Sequence, residues 1–147
     1  MSIQESKTEL PENYEALRAA ANRTSSWRDR LAAVEELGKF NTPSTIDVLT
    51  HRMNNDTVYR VQEAAYRKLR SFGEDVKQPA RRKGELIRGA NKTFVRIKKS
   101  LPREHSYEAF KEKLRNMRLD LYDAYEGDKG DEFDAWLKST WEGLLRR

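Results

Sequence analysis

The stretch PSTIDVLTHRMNNDTVYRVQEAAYRKLRSFG, residues 43–73, decides the fold. Pro43 suits the first turn of a helix, where a missing N–H costs nothing. Ile46, Leu49 and Met53 then recur at helical spacing. Asn54, Asn55 and Asp56 break the pattern, with Asp56 expected as the cap of the next helix. Val58, Val61, Ala65, Leu69 and Phe72 draw a second apolar stripe, and Gly73 ends it. The segment is a helix hairpin.

The hairpin occurs twice. Shifting the chain by 32 positions lays residues 11–41 on 43–73 without a gap, and eight positions are identical. They are Pro11/Pro43, Leu17/Leu49, Asn22/Asn54, Arg28/Arg60, Ala32/Ala64, Ala33/Ala65, Leu37/Leu69 and Phe40/Phe72. A fixed period of this length marks stacked supersecondary units. In the first unit Tyr14 and Leu17 start the first helix, and Thr24 is expected as the cap of the second. Trp27, Leu31, Val34, Leu37 and Phe40 make its stripe. The alanine pairs permit close helix approach.

Residues 43–73 resemble a HEAT repeat of the short bacterial type: an apolar first helix, an Asp, an Arg, a small-residue pair and a Leu. The first unit keeps Arg28, Ala32, Ala33, Leu37 and Gly38 and departs at Thr24. The resemblance covers about residues 11–73. It implies an all-α, right-handed stack of antiparallel helix pairs and a scaffold for partners; fold alone does not give the partner.

Beyond residue 73 the period fades. A linker from Gly73 to Pro79 leads into an expected basic helix over 80–101, striped by Leu86, Ala90, Phe94, Ile97 and Leu101. It reads as a separate helix or as a third repeat that has lost one helix. Ser106 should cap a helix to about Tyr125, with Tyr107, Phe110, Leu114, Met117 and Leu121 on one face. A turn at 127–130 and a cap at Asp131 should open a last helix carrying Phe133, Trp136, Leu137, Trp141 and Leu144. Because two repeats seldom suffice alone, residues 104–147 are expected to complete the core and Trp136 and Trp141 to anchor the last helix onto the stack, giving a single domain over 1–147.

Composition narrows function mainly by exclusion. Charged residues are 36% and apolar ones 37%, which suits narrow stripes on amphipathic helices. There is no cysteine, so no thiolate metal site, disulfide or Cys nucleophile is available. His51 and His105 have no second ligand at metal spacing, and no phosphate loop or nucleophile elbow occurs. The acids Asp123, Glu126, Asp128, Asp131, Glu132 and Asp134 lack the calcium-loop spacing. Trp27 and Asp29 invite comparison with HEAT-like glycosylases, but Trp27 already leads its apolar stripe. The expectation is a non-enzymatic protein without cofactor or metal. No apolar run approaches a membrane span and no secretory pattern opens the chain, so a cytoplasmic place is expected.

The charge is concentrated. Residues 77–103 carry ten Lys/Arg against one Asp/Glu, and residues 104–134 carry five against ten. Arg81, Arg82 and Lys83 are followed by Arg88, Lys92, Arg96 and Lys99 at helical spacing, opposite the apolar stripe. Four readings stay open. The run is a solvated face or is neutralised by 104–134; it binds nucleic-acid phosphates; it binds an acidic protein; or it lies on anionic lipid. Only Phe94 interleaves it, on the apolar side, so backbone contact with a duplex or folded RNA fits better than base stacking. The favoured function is a protein-binding adaptor, with nucleic-acid binding through these seven cations as the alternative.

Overall fold

The computed structural model describes residues 7–81 and 84–144. They form eight α-helices and no strand, apart from one parallel backbone bridge between Lys7 and Phe40. The helices fall into two compact units, Met1–Arg81 and Arg82–Arg147, each with its own apolar cluster.

The first unit is two helix hairpins. Helices α1 (Tyr14–Ala21) and α2 (Trp27–Leu37) make one; α3 (Pro43–Asn55) and α4 (Tyr59–Ser71) make the other. Leu37 and Leu69, paired by the 32-residue period, are both fully buried. Around them pack Val34, Leu49, Val58, Val61 and Ala65. Thr42 and Thr45 form a reciprocal capping box ahead of α3, with Pro43 at the first helical position. At the end of α4, Gly73 adopts φ 87°, where the Glu74 N–H reaches the Leu69 carbonyl and the Gly73 N–H that of Arg70. This closure satisfies two terminal carbonyls. The cap of α2 is Ser26, whose hydroxyl accepts from the Asp29 N–H; Thr24 lies too far upstream of a helix beginning at Trp27.

Asp56 is not the cap of α4, whose N-cap residue is Val58; it stands two residues earlier, at the end of α3. Its carboxylate accepts the Val58 N–H at 2.9 Å, Arg30 Nε at 2.9 Å and Nη2 at 3.3 Å, and Arg52 Nη1 at 3.0 Å. Arg30 is 3% exposed and Asp56 2%. Arg30 also donates to the Arg23 carbonyl at 2.8 Å. A buried ion pair of this kind ties α2 of the first hairpin to the turn of the second. In the repeat register Thr24 stands where Asp56 stands and Gln62 where Arg30 stands. Each hairpin thus holds one half of the pair, and Gln62 instead donates to the Met53 carbonyl within its own hairpin.

The second unit holds α5 (Ala90–Ser100), α6 (Tyr107–Met117), α7 (Leu119–Lys129), a 3-10 turn (Gly130–Glu132) and α8 (Phe133–Gly143). The expected basic helix over 80–101 is therefore shorter by ten residues at its start. Gly84 and Gly89 take φ 82° and 81°, left-handed values that interrupt a helix, and the Glu85 carboxylate collects the Gly89 and Ala90 N–H groups as an upstream cap. The expected helix from 106 to 125 is two helices, broken at Arg118 (φ −140°, ψ 69°), whose guanidinium grips Asp120 with two hydrogen bonds of 3.0 Å. The expected turn at Gly127 is helix, since α7 runs on to Lys129 with Gly127 buried. Asp131 lies inside the 3-10 turn and caps nothing by its side chain.

The core of this unit is Phe94, Ile97, Phe110, Leu114, Leu121 and Leu137 with an aromatic cluster. Trp136 stacks on Tyr125 at 4.7 Å and 14°, and both meet Phe94. The Tyr125 hydroxyl accepts the Leu86 N–H at 3.2 Å, which fastens the segment before α5. Trp141 donates its indole N–H to His105 Nε2 at 2.8 Å. The acceptor Nε2 leaves Nδ1 as the protonated atom, 2.7 Å from the Pro102 carbonyl. The aromatic partners of both tryptophans thus come from α5, α7, α8 and the residues leading into and opening α6.

Candidate functional site

Two surfaces carry chemistry, one on each unit. On the first, α2 and α4 run parallel, because Arg60 lies over Trp27 near their starts and Lys68 reaches Glu35 near their ends. An open groove between them is lined by Leu31, Glu35, Arg60, Glu63, Arg67 and Lys68. Leu31 is only partly buried against the core and supplies apolar floor. Glu35 and Lys68 are 3.2 Å apart, and Glu63 and Arg67 2.9 Å. Lys68 crosses directly over Gly38, where any Cβ would collide with its stem. A side chain at 38 would require the Lys68 stem to shift.

On the second unit lies the basic stretch. Lys92, Arg96 and Lys99 share the outer face of α5 and are exposed. Arg88 is exposed in the turn just ahead of it, off the helix on which the sequence spacing placed it. None of these four makes an ion pair among the described residues. Three of the ten acids of 104–134 pair with other cations: Asp120 with Arg118, Asp128 with Lys129, Asp134 with Lys111. Arg81 belongs to the first unit, stacked over Tyr59 at 4.7 Å. Arg82 and Lys83 lie outside the described residues. One cation of the run has a structural post that spacing did not reveal. Lys98 Nζ donates to the Trp141 and Leu144 carbonyls and closes the end of α8, a favourable place for a cation.

Asp134 is a second polar knot in this unit. It accepts from Lys111 Nζ at 2.5 Å and from the Tyr107 hydroxyl at 2.9 Å, clasping α6 to α8. Those two hydrogen bonds, Lys111 first, hold its carboxyl below the ordinary carboxylate range. Burial, then the hydrogen bond to Asp134, pushes the Tyr107 phenol up, so it stays a donor at every ordinary pH. A carboxyl depressed on folding stabilises at pH above its unfolded value, and that stability is lost as pH falls through the folded value. The clasp should therefore weaken below about pH 4. Asp134→Asn should flatten the acid limb of a denaturation-versus-pH profile while costing less than about 1 kcal/mol at neutral pH, because Asp134 is 63% exposed and solvent screens it. An unchanged acid limb would contradict this.

Among the described residues no group of three or more His, Asp or Glu side chains is placed to hold a metal ion. No helix among them is long and apolar enough to cross a membrane. No curated protein and no solved structure matches the chain. Residues 3–75 match the family model for HEAT repeats, which spans both hairpins and the groove between α2 and α4. HEAT repeats commonly serve as protein-interaction scaffolds. Residues 3–75, the two hairpins of the first unit, are thus HEAT repeats.

Proposed function

We propose that this protein is a non-catalytic adaptor that docks a protein partner along the groove between α2 and α4 and needs no cofactor. The groove itself carries the reading. Its apolar floor is edged by both signs of charge, Glu35 and Glu63 beside Arg60, Arg67 and Lys68. Alternating charge over an apolar strip suits a polypeptide, whose side chains can answer both signs. It suits a uniform polyanion poorly.

A second reading rests on a different observation. Arg88, Lys92, Arg96 and Lys99 are exposed and without ion-pair partners among the described residues, and they would serve nucleic-acid phosphates. One set of measurements separates the two. For the adaptor, capture of a partner from lysate should survive nuclease, disappear with Glu35→Lys/Glu63→Lys, and persist with Lys92→Glu/Arg96→Glu/Lys99→Glu. For nucleic-acid binding, purified protein should bind duplex DNA or structured RNA with a dissociation constant of roughly 10⁻⁴–10⁻⁶ M at physiological salt, weakening steeply with added salt. Reversing the α5 cations should abolish that binding and leave the melting temperature unchanged, since all three lie off the apolar stripe. Nuclease-sensitive capture together with such binding would replace the first reading by the second.

A further inference from the structure

Opposite charges lie side by side on the second unit without pairing. Helices α5 and α6 run antiparallel. The Arg118 guanidinium at the end of α6 reaches the Thr93 hydroxyl near the start of α5 at 3.4 Å, while Lys113 Nζ reaches the Ser100 carbonyl at 3.5 Å. Both helices turn one side to a shared core, Phe94 and Ile97 from α5 and Phe110 and Leu114 from α6. At about 3.6 residues per turn, the positions opposite that core are Lys92, Arg96 and Lys99 on α5 and Glu108 and Glu112 on α6, all exposed. The two rows therefore flank each other on one two-helix surface. Arg103, in the connection between the helices, is exposed as well. Among the described residues none of these six side chains makes an ion pair or a hydrogen bond. The neutralisation that the charge pattern allows within one chain is not made by these groups.

We propose that this face pairs with the same face of a second copy of the chain, α5 of each lying over α6 of the other. A basic row beside an acidic row is self-complementary under a two-fold axis parallel to the helices. Rotation about that axis exchanges left and right, so each row meets the opposite sign. It preserves height along the helices. Ser100 lies beside Lys113, so Lys99 and Glu112 stand at nearly one height and meet across the axis. Arg103 and Glu108 lie beyond them, toward the connection that joins the helices. A linear polyanion suits this surface less well, because the two carboxylates flank the Lys99 end of the basic row. The face is about 16 Å long, from eleven residues in each helix, and about 20 Å across two helices. That is the small end of specific interfaces, so association is weak and reversible, with a dissociation constant of roughly 10⁻⁵–10⁻³ M. The formal net charge of +5 opposes it at long range. At physiological salt the screening length is about 8 Å, which removes most of that repulsion and spares contact pairs. The inference is independent of the α2–α4 groove, which lies on the other unit.

The test is sedimentation velocity on the full chain at physiological salt, with protein raised to about 1 mM, where an interface this small still associates. The unaltered protein should pass from monomer to dimer as its concentration rises, and high salt should return it to monomer. Lys99→Glu/Arg103→Glu makes the face acidic throughout that end, and Glu108→Lys/Glu112→Lys makes it basic. Each variant alone should dimerise at least roughly ten-fold more weakly, because the two-fold axis repeats every lost pair. An equimolar mixture of the two should form a one-to-one heterodimer, since each then offers what the other lacks. No fault of folding reproduces that rescue. Should either double variant melt early, Lys99→Glu and Glu112→Lys, alone and mixed, decide in the same way. A protein that stays monomeric throughout, a dimer indifferent to these reversals, or a mixture that does not associate overturns the proposal. Assemblies that keep growing beyond the dimer overturn the two-fold arrangement. A monomer that binds duplex DNA and loses it in Lys99→Glu/Arg103→Glu also overturns the proposal, and gives the basic row to phosphates.

Discussion

Asp56→Ala should unfold the first unit or bring it to the edge of unfolding. The substitution leaves the Arg30 guanidinium almost fully enclosed, 3% exposed, with its two Asp56 hydrogen bonds gone. Arg52 loses the same carboxylate, and its Nε already lacks a partner in the interior. The Val58 N–H loses its acceptor at the start of α4. Removing one partner of a buried pair strands the other charge and costs about 3–5 kcal/mol. A small unit has only about 0.05–0.15 kcal/mol of stability per residue, so that loss is comparable with the whole. Urea denaturation followed by far-UV circular dichroism measures it. Arg30→Met in the Asp56→Ala background should recover part of the loss, because the stranded charge is then gone. A cost below about 1 kcal/mol for Asp56→Ala would show that water reaches the pair and that it works as a surface bridge.

The same pair explains why the repeat pattern stops where it does. A stacked array joined by such pairs needs a carboxylate in the turn of one hairpin and an arginine on the second helix of the hairpin before it. Thr24 offers no carboxylate of this kind, and Gln62 offers no charge. The segment after Gly73 fits this account. It resumes helix only at Ala90, with its own core and none of the repeat's paired positions.

How much of this was legible beforehand depends on whether the signal is periodic or relational. The four repeat helices follow from apolar spacing, the Pro43 start and the Gly73 stop, because each is a local property of a few adjacent residues. The Arg30–Asp56 pair spans 26 positions and uses two residues that the repeat alignment marks as mismatches, so spacing hid it. Stripes likewise could not show that Lys98 is a helix-end cap while its neighbour Lys99 faces outward; both are simply lysines in a basic run. The break at Arg118 was hidden for a different reason. Apolar positions continue in helical phase across it, and the interruption comes from the local grip of Arg118 on Asp120.

Truncation after Gly130 should abolish the cooperative unfolding of the second unit and leave exposed apolar surface. The cut removes α8, and with it Phe133 and Leu137, both buried in the core of that unit. Burial of two such side chains contributes about 3–6 kcal/mol. Loss of the Trp136–Tyr125 stack adds about 0.5–1.5 kcal/mol. Asp134 goes too, which leaves Tyr107 and Lys111 without their shared acceptor, and the indole that holds His105 is lost. Against a stability of about 0.05–0.15 kcal/mol per residue, these losses match or exceed what a unit of this size has. Phe94 and Tyr125 would then face solvent where Trp136 had covered them. The truncated protein should bind a hydrophobic dye, lose near-ultraviolet ellipticity and self-associate as its concentration is raised. Helices α1 to α4 should retain their far-ultraviolet signal and melt with their own transition, since their core draws no residue beyond Val76. A truncated protein that stays monomeric, binds no dye and keeps a sharp second transition would mean that α5 to α7 hold together without α8, and that its two tryptophans are not the anchor that their packing indicates.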